Sequence, residues 1–345
     1  MFQNLDSKNN SVLPVSILCF LLLLGFVMLL AQTGCNPDAN SADSRDSSYM
    51  PPRYTEANGN GNGDRNSDIT PNLLIGSFNI KNFGQTKMSK PGVVGVLVDV
   101  VRRFDILAIQ ELRDKDQGVI PEFLKLINSD GSQYAAAVGP RQGYIANGRK
   151  TTYFEQTVFI YDTTTTELVS PTYAAFDRLD TMYRPPFVGH FRSAKVDPAE
   201  AFHFVLMNVH VAPKRTRLEF ETMKSIIAGV YGNHPGEDDF ILLGDLNEEP
   251  SGYQHYGWMN DQVAALPDEI KTNTNREHAY DNIVFDAVRT SEYMQKSGVL
   301  NLMSEYDLTL EDAQLVSDHL PVWASFSALE APSAAITRGD GGVIR

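Results

Sequence analysis

With 345 residues, 42% of them hydrophobic and 10% aromatic, the chain has enough apolar material for a substantial core. Its formal net charge of -14 excludes a stoichiometric nucleic-acid binder, which grips a polyanion with surplus Lys and Arg. It does not exclude an enzyme that meets a polyanion briefly and brings divalent cations to it. Cys19 and Cys35 are the 2 cysteines, and both precede the globular part, which therefore has no disulfide and no thiolate metal site.

The first element is an almost wholly apolar run over residues 12–31, with Leu21, Leu22, Leu23 and Leu24 in a row and Lys8 before it. It reads as an export signal or signal anchor, and it is long enough to span a bilayer. Gln32-Thr33-Gly34-Cys35 resembles a bacterial lipoprotein processing site, with Gln32 where an aliphatic residue is preferred. Lipid anchor, peptide anchor and cleaved signal all place the globular part outside the cytoplasm, so a leader is expected over residues 1–35. Residues 36–70 contain Asn58-Gly59-Asn60-Gly61-Asn62-Gly63-Asp64 and bury too little to offset their ordering entropy; they read as a flexible tether. One domain is expected over 71–329 and a loose tail over 330–345.

Within the domain, apolar runs of strand length recur at 73–78, 106–109, 157–161, 202–209, 240–243, 283–285 and 322–326. Helical patterns separate some of them. Pro91 after Ser89 opens one, with Val94, Leu97, Val98 and Val101 on one face; Ile120, Phe123, Leu124 and Ile127 mark a second; residues 218–230 make a third. The class is α/β: two packed mixed β-sheets flanked by helices in four layers. Strand ends deliver Asn79 after Phe78, Glu111 after Gln110, His210 after Val209 and Asp245 after Gly244. A fold gathering those ends at one edge builds a single polar site there.

The segments Ser77-Phe78-Asn79-Ile80-Lys81-Asn82-Phe83-Gly84, Ile109-Gln110-Glu111-Leu112-Arg113-Asp114, Asn208-Val209-His210, Gly244-Asp245-Leu246-Asn247, Tyr280-Asp281-Asn282 and Ser317-Asp318-His319-Leu320-Pro321-Val322 together resemble the endonuclease/exonuclease/phosphatase superfamily. The likeness covers residues 72–327, with every block in order, and within the superfamily deoxyribonuclease I is the nearest pattern. The resemblance implies Mg²⁺-dependent hydrolysis of DNA phosphodiesters to 5′-phosphate ends, with Mn²⁺ or Ca²⁺ as further candidate ions and nonspecific double-stranded DNA as partner of a monomer. It pairs His210 with Glu155 and His319 with Asp281. Arg113 is implied to enter the minor groove, Tyr153 to pack on a deoxyribose and Arg184 to contact a phosphate. Its calcium loop is shortened here, leaving Asp177 and Asp180 as candidate ligands.

In-line attack on phosphorus needs a base for the water, an acid for the leaving 3′-oxygen and positive charge against the phosphorane. Imidazoles titrate near working pH, which suits His210 and His319. Glu111 is a hard oxygen ligand for Mg²⁺ and Asn79 shares the metal or holds the phosphate. Asp318 reaches the metal if the backbone turns beside His319. Asp245 and Asn247 alternate along a strand-like segment and are expected to face the same side, one orienting water or a second cation and the other donating to phosphate. His190, His203, His234, His255 and His278 are read as ordinary core or surface residues. The competing functions are a sphingomyelinase-like or sugar-phosphate phosphatase of the same fold, and an inactive surface-binding protein.

Overall fold

The computed structural model describes residues 71–146 and 149–332, with backbone alone for 144–146 and 149–153. The leader over 1–35, the tether over 36–70 and most of the tail lie outside these residues. The first sheet holds β1 (Asn72–Phe83), β2 (Ile106–Leu112), β3 (Tyr134–Val138), β4 (Gln142–Ala146) and β5 (Arg149–Asp162). The second is built from β6 (Thr166–Leu168), β7 (Tyr173–Ala174), β8 (Phe187–Ser193), β9 (His203–His210), β10 (Phe240–Asp245), β11 (Val263–Ala264) and β12 (Asp281–Phe285). The chain then returns to the first sheet with β13 (Tyr293–Val299) and β14 (Val322–Ser327). The orders are β13-β14-β1-β2-β5-β3, with β4 on β5, and β11-β12-β10-β9-β8-β6, with β7 on β8.

Alternate residues of the central strands enter different cores, which is why these strands read as continuous apolar runs. Leu73, Ile75, Ile106 and Ala108 meet Phe191, Phe204, Leu206, Ile241 and Leu243 between the sheets. Phe78, Leu107, Ile109 and Val158 face outward beneath α1 (Gln85–Met88), α2 (Pro91–Val101), α3 (Val119–Ile127), α5 (Leu302–Tyr306) and α6 (Leu310–Val316). On the other side Val205, Met207, Val209 and Leu242 pack under Phe220, Met223 and Ile227 of α4 (Thr216–Asn233). The layers therefore run helix, sheet, sheet, helix.

Each sheet has one parallel pair at its heart, β1 with β2 and β9 with β10. β12 runs antiparallel to β10 and β14 antiparallel to β1. The start of an antiparallel strand lies beside the end of its partner, so Asp281 and the segment leading into β14 arrive at the edge where β1, β2, β9 and β10 finish. The body also extends beyond residue 329: Glu330 N donates to Glu200 O at 2.8 Å and Ala331 N to Glu292 Oε1 at 2.6 Å. These backbone bonds hold the first residues of the expected loose tail.

Candidate active site

One row of the second sheet carries the centre of the site. His210 pairs with Asp245, and Asp245 with Asp281, so three side chains from adjacent strands project from one rung. Asp245 Oδ2 lies 3.5 Å from His210 Nε2 and 3.6 Å from His319 Nε2. The two Nε2 atoms are thus separated by no more than these distances laid end to end. The other nitrogen of each ring is held from behind: His210 Nδ1 is 2.6 Å from Glu155 Oε1, and His319 Nδ1 is 2.8 Å from Asp281 Oδ2. Glu155, Asp245 and Asp281 are all buried.

Burial disfavours the His319 imidazolium, but Asp281 and Asp245 outweigh it and push the group up to about 10. Burial also opposes the charged form of His210, and Glu155 overcomes it, again raising the group. The environments differ in one respect. Arg184 Nε sits 3.1 Å from Glu155 Oε1, where its charge works against protonating His210. Asp281 instead accepts from the neutral hydroxyl of Thr272 at 2.8 Å.

Asn79 crosses from the first sheet and donates through Nδ2 to Asp245 Oδ2 at 3.0 Å and to Glu111 Oε1 at 3.4 Å. Glu111 stands at an irregularity between β1 and β2 with φ of 62°, a left-handed backbone uncommon for this residue type and frequent at functional sites. That break separates consecutive side chains. Gln110 turns inward to Asn208 at 2.8 Å, while Glu111 turns to Asn79 and accepts from Asn82 N at 3.0 Å. Asn79 Oδ1 is buried and has no hydrogen-bond partner among the described residues. A carboxylate beside an unused amide oxygen is a donor set that fits a hard dication such as Mg²⁺. A second grouping, Asp245, Asp281 and His319, also brings ligand atoms within 4.8 Å of one another.

The same edge has counterparts among known proteins. A family model described as the endonuclease/exonuclease/phosphatase family matches residues 76–319. The chain belongs to that family. Deoxyribonuclease-1-like 2 of Mus musculus is 28% identical over 267 residues, covering 74% of this chain and 91% of that protein. Deoxyribonuclease-1 of Gallus gallus is 28% identical over 276 residues, covering 75% and 94%. Among solved structures, the human Nocturnin catalytic domain with bound sulfate has a TM-score of 0.53 at 13% identity, covering 75% of this chain and 94% of that one. This last is a likeness of fold.

Asn247 departs from the sequence expectation. β10 ends at Asp245, and Asn247 has a left-handed φ of 49°. It therefore does not share a strand face with Asp245; its Nδ2 donates to Val211 O at 2.9 Å and holds the exit from β9. Asp318 pairs with Lys81 Nζ at 2.5 Å on the exposed rim, with Oδ1 4.0 Å from His319 Nε2. Arg113 lies against Glu111 at 3.6 Å. Arg184 Nε donates to His210 O at 2.9 Å.

Asp177 uses its carboxylate within its own loop. Asp177 Oδ2 accepts from Thr181 N at 2.6 Å and Met182 N at 2.7 Å, and its Oδ1 from Leu179 N at 3.1 Å. The carboxylate closes its own loop, and Asp180 is exposed with φ of 50°. Tyr153 lies on β5, but its side chain is outside the described ones.

Sequence reasoning missed Thr272 and the role of Asn208. Nothing in the local pattern marks Thr272, which receives its role only when the loop before β12 folds back onto Asp281. Asn208 spans the sheets beneath the site: it accepts from Gln110 Nε2 and donates to Ile109 O at 3.2 Å and Val158 O at 3.1 Å. Gln110 also donates to Ser77 Oγ at 3.0 Å. Removing one member of such a network strands its buried partners, each at about 1–3 kcal/mol. Asn208→Ala is expected to lower unfolding free energy by about 3 kcal/mol in urea titrations, whereas a change under about 0.5 kcal/mol would show that the network carries no load.

Proposed function

We propose that the chain is an extracytoplasmic, Mg²⁺-dependent endonuclease that hydrolyses phosphodiesters of double-stranded DNA by histidine acid–base catalysis, leaving 5′-phosphate ends. The observation that carries this reading is the pair of imidazoles whose Nε2 atoms turn to one oxygen of Asp245 while separate carboxylates hold their Nδ1 atoms. Each carboxylate accepts the Nδ1 proton and leaves Nε2 toward the substrate, the logic of carboxylate-oriented histidines in general.

Hydrolysis needs one ring neutral and one charged. Arg184 places a cation against Glu155, behind His210, whereas Asp281 behind His319 accepts from a neutral hydroxyl, and on that contrast we assign His210 to take the proton of the attacking water. His319, pushed up to about 10, keeps its proton at neutral pH and gives it to the leaving 3′-oxygen. Asp245 faces both rings and orients the water between them. Glu111 and Asn79 are the residues that would hold Mg²⁺, which when bound supplies positive charge against the pentavalent phosphorus. Arg113 and Arg184 stand at the same edge as cations for backbone phosphates. The net charge of -14 favours brief, salt-sensitive encounters with the polyanion.

DNA is the substrate class because the relatives named above are deoxyribonucleases. Location outside the cytoplasm, with a membrane tether, is inferred from the apolar run at residues 12–31 and the small-residue segment before Cys35. Among the described residues no helix is long and apolar enough to cross a membrane. The test is conversion of supercoiled plasmid to nicked circles by the full chain in detergent, with Mg²⁺ and with EDTA. Nicking that EDTA abolishes is expected. Release of phosphate from inositol phosphates, or cleavage of sphingomyelin, without any nicking would overturn the DNA assignment.

A further inference from the structure

A second concentration of ligating side chains lies at the other end of the second sheet. His203 opens β9 and His210 closes it, which separates the two by roughly 23 Å at the rise of a strand. Arg192 of β8 pairs with His203, and His190 lies two residues earlier on the same face, so the two imidazoles are diagonal neighbours. Their ring centroids are 5.8 Å apart. Glu237 arrives from the loop between α4 and β10, with Oε2 3.2 Å from His190 Nε2. One ligand atom from each of His190, His203 and Glu237 lies within 4.8 Å of the others.

The surroundings are arranged as for a cation. Glu237 Oε1 accepts from Asp238 N and Asp239 N, both at 3.0 Å, which fixes the carboxylate and leaves Oε2 toward the histidines. His234 packs edge-on to His190 at 5.3 Å and is tied to Tyr173 Oη at 3.1 Å. His203 N donates to Glu330 Oε2 at 3.0 Å, and Asp239, Glu292 and Glu330 gather just beyond.

We propose that His190, His203 and Glu237 form a metal site, separate from the hydrolytic edge, that takes a borderline transition dication, Zn²⁺ foremost. Two imidazole nitrogens and one carboxylate oxygen suit Zn²⁺, whereas Mg²⁺ and Ca²⁺ select oxygen. Three protein ligands leave a fourth position for water. The ion would staple β8, β9 and the loop entering β10, away from the catalytic row.

The test uses the full chain, purified in detergent without a histidine tag and stripped with chelator. Zn²⁺ is titrated into wild type, His319→Ala, His203→Ala and Glu237→Gln, with Co²⁺ as the visible probe. His319→Ala, which disables the only other described histidine-containing ligand group, is expected to retain one zinc equivalent and a Co²⁺ band that zinc displaces. His203→Ala and Glu237→Gln should bind that equivalent more than about tenfold more weakly, yet nick plasmid with Mg²⁺ at the wild-type rate. With zinc about a hundred times above Kd, wild type and His319→Ala should gain roughly 5–10 °C in melting temperature. If His203→Ala does not fold, Glu237→Gln decides alone, since the amide keeps a hydrogen bond to His190. Zinc binding unchanged in Glu237→Gln, or absent from His319→Ala, would overturn the site.

Discussion

His319→Ala is expected to slow Mg²⁺-supported plasmid nicking by about 10²- to 10⁴-fold, with little change in the DNA concentration that gives half-maximal rate. The ring is held by Asp281 at 2.8 Å and faces Asp245 rather than solvent, so its loss removes a proton donor while leaving the phosphate contacts of the rim in place. His210→Ala should be as severe, and the double variant little worse than either, because acid and base act on one event. Asp281→Asn gives the sharper readout. It removes the charge that raises His319, so the rate should fail first on the alkaline side of the profile, where the donor is no longer protonated. The same proton is linked to stability. His319 has an ordinary value of 6.5 and sits near 10 in the fold. Its contribution is therefore complete below pH 6.5 and disappears as pH rises through about 10. Melting temperature followed from neutral pH to pH 10 should fall less in His319→Ala than in wild type. Equal slopes would mean that the Asp281 pairing does not hold the proton.

The core of this fold was legible because its central strands are covered on both faces. β1, β2, β9 and β10 therefore show apolar runs, interrupted by Ser77 in β1 and Asn208 in β9, that end near a site residue. β8 was hidden by Gly189 on its core face and by His190 and Arg192, whose side of the strand leads toward the half-buried histidine cluster instead of the core. β13 reads Tyr-Met-Gln-Lys-Ser-Gly-Val because a bulge between Tyr293 and Lys296, with Gln295 at φ of 57°, breaks the alternation that a half-buried edge strand otherwise shows. The site residues were readable from strand ends and from family likeness, but their geometry was not. Alternation stops at Asp245, and by Asn247 the backbone has already turned left-handed. Asp177 has the composition of a calcium ligand, yet its oxygens serve amides of its own loop. The histidine cluster of His190, His203 and His234 was invisible because its members are scattered along the chain and meet only through sheet register and the end of α4.

Gly244→Ala is expected to be the most damaging small change in the chain. Gly244 has φ of 146°, a region that side chains rarely enter. A Cβ there would fall 1.9 Å from Val209 O and 3.0 Å from Val209 N. These are backbone atoms of the neighbouring parallel strand, so no rotamer change relieves the clash; β9 and β10 must separate. The next rung of that ladder is His210 with Asp245, so the displacement passes directly into the catalytic row. Unfolding free energy should drop by more than about 3 kcal/mol, and nicking by the remaining folded protein should drop by about a hundredfold for a shift near 1 Å. Gly229→Ala supplies the control. On α4 a Cβ at Gly229 meets nothing within 4 Å, and removing a helical glycine should stabilise by about 0.5–1 kcal/mol without touching the rate. Were Gly244→Ala to melt and nick like wild type, the close approach of β10 to β9 could not be what sets His210 against Asp245. The glycine before the site aspartate would then need a different explanation.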